Sequence, residues 1–214
     1  MACEKIADIG ADHGYLSAHI LLEGLASRAI LTDIAPGPLS SAHDTFSKYG
    51  LCDHADFRLG GGLSVISESE SKEIDACFIT GMGGMTIISI LEESLTVAKS
   101  IGRFVLSPER DAAALRRFLH VSGFEITDET LTFEGGHYYF AISAQPTSTP
   151  TTQYSDIDYL FGAKLLEKRD ETLYNYLVVE KAKTQTLLHP RREKIRDFYA
   201  AIERAINYIN RGSQ

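Results

Sequence analysis

Short apolar runs alternate with longer amphipathic stretches over the first two-thirds of the chain. Lys5–Ile9, Ala29–Ile34, Ala55–Leu59, Asp75–Thr80 and Arg103–Ser107 are dense in apolar residues and predict buried strands. Between them, Tyr15–Leu25, Pro38–Tyr49 and Met85–Val97 predict helices. Glu109–Ser122 adds another, with Ala113, Leu115, Phe118 and Leu119 on one face. Strand and helix in alternation predict a parallel sheet covered on both sides. The rhythm then changes. Phe124–Phe133 and His137–Ser143 read as two strands separated by Glu134-Gly135-Gly136, a hairpin signal.

Gln145 to Gln153 reads QPTSTPTTQ, a linker or exposed loop without apolar periodicity, and it divides the chain into units 1–148 and 149–214. Beyond it the period is helical. Ile157, Leu160, Phe161, Leu165, Leu173, Tyr176 and Leu177 form one stripe, closed by Leu187 and Leu188. Ile195, Phe198, Tyr199, Ile202, Ile206 and Ile209 form a second, and His189-Pro190 interrupts the two because proline disfavours helix in the residue before it. Two such segments predict an antiparallel helical hairpin or coiled coil. A hairpin of this kind either folds back on itself or pairs with a second copy, so monomer and homodimer both remain open.

Charge sharpens this division. The chain has 214 residues, 29 acids and 21 bases, for a net charge of −8. Residues 1–150 hold 10 bases and 20 acids, residues 151–214 hold 11 and 9, so the two parts carry −10 and +2. A general basic coat is excluded, but a local basic patch in the helical part is not. No apolar run is long enough to span a bilayer, and MACEKIADIG lacks the apolar segment of a secretory leader, so a cytoplasmic protein with no membrane partner is expected. Cys3, Cys52 and Cys77 are too scattered for a disulfide framework or a Cys-x-x-Cys zinc site, so reduced thiols and no metal centre are expected.

Four strand-end loops carry the candidate chemistry. The first is Ala7-Asp8-Ile9-Gly10-Ala11-Asp12-His13-Gly14-Tyr15, a glycine turn at the carboxyl edge of the sheet, where open α/β folds bind nucleotides. Its spacing is not Gly-x-Gly-x-x-Gly, and Asp12 would repel a pyrophosphate at the helix N-terminus. A nucleoside with a cationic sulfonium and ammonium, S-adenosylmethionine, fits better. Asp33, at the end of the second strand, can accept both ribose hydroxyls of an adenosine, or else cap a loop. Gly60-Gly61-Gly62 lets the backbone approach a flat base, or else makes a flexible turn. Gly81-Met82-Gly83-Gly84 is a tight turn able to open backbone groups to a substrate base, with Met82 as a polarizable surface, or else a packing turn.

The set ADIGADHGYL, TDIAPGPLSSA, RLGGGL, ITGMGG and LRRFLHVSGFEITDE resembles the bacterial tRNA (adenine-22-N1)-methyltransferase family, TrmK, in the same order over essentially the whole chain. The resemblance implies an α/β fold: a Rossmann-like class I methyltransferase sheet, mostly parallel with an antiparallel C-terminal hairpin strand, followed by a helical coiled-coil domain. It implies methyl transfer from S-adenosyl-L-methionine to N1 of an adenine in the D-arm region of tRNA. By position, Asp8, Gly10, Asp12, His13 and Tyr15 match the family's first cofactor loop. Asp33 matches the ribose-holding acid, and Gly60 and Gly61 the adenine-side loop. Gly81 to Gly84, with Met82 and Gly83 between them, match the loop beneath the methyl group, where the target base should enter. Two departures stand out: the family often has Asp or Asn at the place of Gly61, and its members usually carry a helical segment before the first strand.

Adenine N1 has a free lone pair, so alignment rather than a strong base is the main task. The target base must be unpaired or flipped. Tyr15 is the candidate for orienting or stacking on it, and Gly81, Met82 and Gly83 for contacts at the reacting edge; His13 reads rather as an orienting hydrogen-bonder. Candidate phosphate contacts are Lys164, Lys168, Arg169, Lys181 and Lys183, then Arg191, Arg192, Lys194 and Arg196, with Arg116 and Arg117 as additions. Tyr138 and Tyr139 read as packing residues. The competing readings are a class I methyltransferase with another substrate, and a non-catalytic RNA-binding relic. A nicotinamide-dependent dehydrogenase is disfavoured by Asp12 and the terminal hairpin.

Overall fold

A computed structural model describes residues 3–148 and 153–211. Residues 149–152 of the expected linker, and with them the boundary between the two expected units, lie outside the described residues.

Seven strands form one sheet: β1 (Cys3–Ile9), β2 (Ala26–Asp33), β3 (Ala55–Leu59), β4 (Ala76–Met82), β5 (Phe104–Pro108), β6 (Phe124–Glu134) and β7 (His137–Pro146). Their order is β3-β2-β1-β4-β5-β7-β6. The first five are parallel, and β7 joins β5 antiparallel and closes the hairpin with β6. Each central strand sends alternate residues to opposite faces, and both faces are buried. Ile30 and Ile79 pack with Ile9 in one cluster, while Ala29, Leu31 and Ala76 pack with Ile6 in the other. That is why these strands read as continuous apolar runs rather than alternating ones. Helices α1 (Tyr15–Leu22) and α2 (Pro36–Lys48) cover the second cluster, the short α3 is Glu68–Ser71, and α4 (Gly84–Glu93), α5 (Leu95–Ser100) and α6 (Ala112–Val121) cover the first.

The expected helix over Met85–Val97 is two helices. Ser94 leaves helical geometry (φ −127°, ψ 39°), and Leu91 and Ala98 both reach the core from either side of the break. The first C-terminal stripe is likewise three helices: α7 (Asp156–Phe161), α8 (Ala163–Lys168) and α9 (Glu171–Gln185). Gly162 breaks the chain at φ +96°, and a Cβ there would stand 2.8 Å from Glu129 Oε2. Arg169, at φ +51°, makes the second break, after which the Asp170 carboxylate caps α9 by accepting from Leu173 N at 2.8 Å. Helix α10 (Glu193–Asn210) follows the His189-Pro190 turn and packs on α9, the expected antiparallel pair. These helices form a third cluster, which also takes in Leu131, Tyr138 and Phe140 of the hairpin.

A bulge sets that docking. In β6 the pairing register slips between Ile126 and Asp128, so Thr127 is an extra residue. The slip puts Glu129 and Leu131 on the same buried face as Phe124 and Ile126; regular alternation would have turned them the other way. Glu129 there meets Arg116 of α6. The expectation that Arg116 contacts RNA is therefore corrected: its side chain is 1% exposed, and Nε donates to Glu129 Oε1 at 2.6 Å. Its Nη1 donates to the carbonyls of Tyr159 and Leu160 at 3.1 and 3.2 Å, and Glu129 Oε2 accepts from Lys164 N at 3.0 Å. Arg117 is engaged as well, with Asp156 at 3.3 Å and over the ring of Tyr159. Tyr138 packs as expected, against Phe133 and Tyr176. Tyr139 is half exposed, with its edge towards His137, because it faces away from the helices.

Candidate active site

The carboxyl ends of β1, β2, β3 and β4 converge on a cleft of about 390 Å³. At the end of β1, the N–H groups of Gly10 and Ala11 both donate to Thr32 O, at 2.8 and 3.0 Å, which ties the first loop to β2. Gly10 faces the cleft, and the Met82 methyl presses so close that a Cβ on Gly10 would stand 2.1 Å from it. Asp33 closes β2. Its Oδ1 accepts from Ala35 N at 2.9 Å, which fixes the carboxylate and leaves Oδ2 for a ligand. Ile34, 78% exposed beside it, and Leu63 and Ile90 are the apolar walls.

Of the residues expected to hold a cofactor, Gly10, Asp33, Gly60, Gly61 and Met82 line this cleft. Asp12 and His13 stand exposed on the first loop, and Tyr15 stands exposed at the start of α1. The His13 and Tyr15 rings are stacked at 5.4 Å and 18°, and the 3.8 Å between His13 Nε2 and Asp12 Oδ2 is too long for a hydrogen bond. Gly81 sits at a register shift near the end of β4, with open space where a side chain would be. Asp8 does not reach the cleft surface. It is buried under the loop, accepts a 2.7 Å hydrogen bond from Ser17 Oγ, and has its pKa pushed up to about 6 by burial, partly offset by that bond.

Three groups stand here that the sequence did not single out. Thr86, Ile90 and Glu93 form one face of α4 and make the opposite wall; their spacing of four and three residues is the signal that could have found them. Ser64 lines the base of the cleft. Arg110 lies against Gly83, where a Cβ would stand 3.0 Å from its Nε, and its side chain is 81% exposed. It is held there because Gly84 N donates to Arg110 O at 2.8 Å and Glu109 N to Met82 O at 2.9 Å. That close approach requires Gly84: a Cβ would come within 2.7 Å of Asp111 O, a backbone atom that cannot swing away. Gly84→Ala is expected to lower stability by about 1–3 kcal/mol through overpacking, read as a lower denaturant midpoint.

The residues fit a nucleoside with a cationic tail. Flat apolar walls, a fixed ribose-level carboxylate and a buried acid under the glycine turn are present, and among the described residues no Lys or Arg lines the cleft to meet a pyrophosphate.

A family model described as tRNA (adenine(22)-N(1))-methyltransferase, TrmK, matches residues 6–211. A Bacillus subtilis protein named tRNA (adenine(22)-N(1))-methyltransferase is 37% identical over 140 residues, which cover 65% of this chain and 58% of that protein. Among solved structures, a Streptococcus pneumoniae protein in complex with S-adenosyl-L-methionine superimposes with TM-score 0.88 at 27% identity, covering 96% of this chain and 93% of that one. M. capricolum TrmK in complex with the cofactor product S-adenosyl-homocysteine gives TM-score 0.85 at 25% identity, covering 97% and 93%.

Proposed function

Because the chain belongs to the tRNA (adenine(22)-N(1))-methyltransferase family, we propose that it transfers the methyl group of S-adenosyl-L-methionine to N1 of adenine 22 in tRNA, in the cytoplasm. The observation that carries this reading is the cleft itself: a carboxylate at ribose level between apolar walls, with no Lys or Arg among its described lining residues. The bound cofactor supplies an electrophilic methyl group. Asp33 holds the ribose through Oδ2, while Ile34, Leu63 and Ile90 clamp the base. The Gly10–Met82 contact shapes the end of the cleft beside the methyl-transfer loop.

The chain's own task at the target is alignment. The open space at Gly81 admits a flipped adenine, and the exposed His13–Tyr15 pair, beyond the end of the neighbouring strand β1, is the candidate ring face for it. No general base is needed at N1. The methylated ring is cationic, and the backbone carbonyls of the Gly81–Gly84 loop favour it over the neutral substrate. Arg110, whose exposed side chain lies against Gly83, meets the phosphate of the flipped nucleotide.

The helical part takes the tRNA backbone. Lys164, Lys168, Lys181 and Lys183 are already paired with Glu167, Asp128, Glu203 and Glu180. Arg191, Arg192, Lys194 and Arg196, at the α9–α10 turn and the start of α10, are exposed and make no ion pair among the described residues. Tritiated methyl transfer to unmodified tRNA tests the activity: label is expected at adenine 22 and absent from a tRNA with guanine there, and a folded enzyme that leaves tRNA unlabelled would refute the reading. Alanine at all four cations is expected to weaken tRNA binding at least tenfold and flatten the salt dependence by ~0.9 for each phosphate no longer neutralised. Cofactor affinity should be unchanged, as titration calorimetry would report.

A further inference from the structure

We propose that Glu93 accepts a hydrogen bond from the exocyclic amine of the cofactor's adenine, so that α4 selects an aminopurine as well as walling the cleft. This rests on the reading that the cleft holds S-adenosyl-L-methionine.

Helix α4 starts beside the methyl-transfer loop and runs along the cleft. Thr86, Ile90 and Glu93 share its cleft-facing side. At a rise of about 1.5 Å per residue, Glu93 stands about 10 Å further along than Thr86, a span comparable with the reach of an adenosine from its 5′ end to its base edge. The base level is fixed independently. Gly62 faces Ile90, with a Cβ position 3.0 Å from Cγ2, and Gly61 faces Ile34 at 3.7 Å. A flat ring between Ile34 and Ile90 therefore has the glycine run on one edge and Glu93 one turn beyond its clamp.

An exocyclic amine is a donor and needs an acceptor. At the glycine run, Gly61 O already accepts twice, from Ser64 Oγ at 2.6 Å and from Ser64 N at 3.3 Å. Ser64 Oγ donates its proton to that carbonyl and offers the amine only an uncharged acceptor. Asp33 is bound to Ala35 N and stands at ribose level. Glu93 is the charged acceptor at this level: Ser89 Oγ donates to its Oε1 at 3.1 Å and steadies the carboxylate, and no Lys or Arg among the described residues pairs with it. A 6-oxo purine would present an oxygen to this carboxylate, so hypoxanthine is rejected as well as adenine accepted.

Titration calorimetry of the full chain with S-adenosyl-L-homocysteine and with S-inosyl-L-homocysteine tests this without turnover. The wild-type protein is expected to prefer the adenosyl compound at least tenfold, about the effect of one hydrogen bond to a charged group. Glu93→Ala should weaken the adenosyl compound about tenfold and leave the inosyl compound within threefold. Glu93→Gln, which keeps an acceptor oxygen, should recover part of the preference. A Glu93→Ala protein that binds with the wild-type preference overturns the proposal. A folded wild-type protein that binds neither compound refutes the cofactor reading itself, a result distinguishable from the first.

Discussion

Asp8→Asn is expected to make the protein more stable at pH 7.5 and a poorer cofactor binder. Asp8 is buried, and its side-chain partner among the described residues is Ser17 Oγ, which an amide oxygen can accept from equally well. Its pKa is raised from 3.8 to about 6, first by burial. A carboxyl raised on folding contributes most below its unfolded pKa, where it is neutral in both states. That contribution is lost as pH rises from about 4 through about 6, as the unfolded chain ionises more readily. At about 1.4 kcal/mol per pKa unit, the cost above pH 6 is on the order of 3 kcal/mol. In a chain of this size that corresponds to a melting temperature roughly 6–12 °C higher for Asp8→Asn at pH 7.5. The gap between the two proteins should close by pH 4. The same charge sits directly under the Gly10 turn, where it favours a cationic ligand. S-adenosylmethionine carries a sulfonium charge that S-adenosylhomocysteine lacks, so Asp8→Asn should lower the ratio of their affinities. Melting curves across pH 4–8 and two titrations decide it. A variant no more stable than wild type at pH 7.5 refutes the stability half, and an unchanged affinity ratio refutes the binding half.

This position also shows how far the sequence could be read. Asp8, Gly10 and Asp33 announce themselves because strand ends in an open α/β fold are marked locally, by apolar runs stopping at an acid or a glycine. The wall opposite is marked only by a spacing of four and three residues, which any helix face shows. Thr86, Ile90 and Glu93 look like an ordinary helix face until the fold sets α4 beside the glycine run. Arg110 reaches the mouth only because Gly84 lets two backbones touch. The same limit applies to the scaffold. Ile30 and Ile79 predict strands buried on both faces, and they are. The extra residue at Thr127 is invisible in a β-rich run, yet it decides which way Glu129 points. The helical period runs unbroken through Gly162, since Phe161 and Leu165 are four apart, although the close approach of Glu129 stops the helix there. Arg116 resembled a solvent-facing cation because its partner is contributed by another element.

That partner makes the second large effect. Arg116→Met is expected to cost about 3–5 kcal/mol, because it leaves the Glu129 carboxylate buried with Lys164 N as its one remaining donor among the described residues. Glu129→Leu should cost a similar amount by stranding the guanidinium, whose Nη2 already lacks a partner there. The double variant Arg116→Met with Glu129→Leu should be more stable than either single one, since no unpaired charge remains to be buried. The arrangement also predicts where the loss falls. Arg116 joins α6 to β6 and to the last carbonyls of α7, whereas the cleft is built from β1 to β4 and α4. Hydrogen exchange in Arg116→Met should therefore rise first in residues 156–211, with binding of S-adenosylhomocysteine retained and tRNA affinity reduced. Uniform loss of protection together with cofactor binding would show instead that the pair supports the whole core. Wild-type stability in Arg116→Met would show that the pair contributes little.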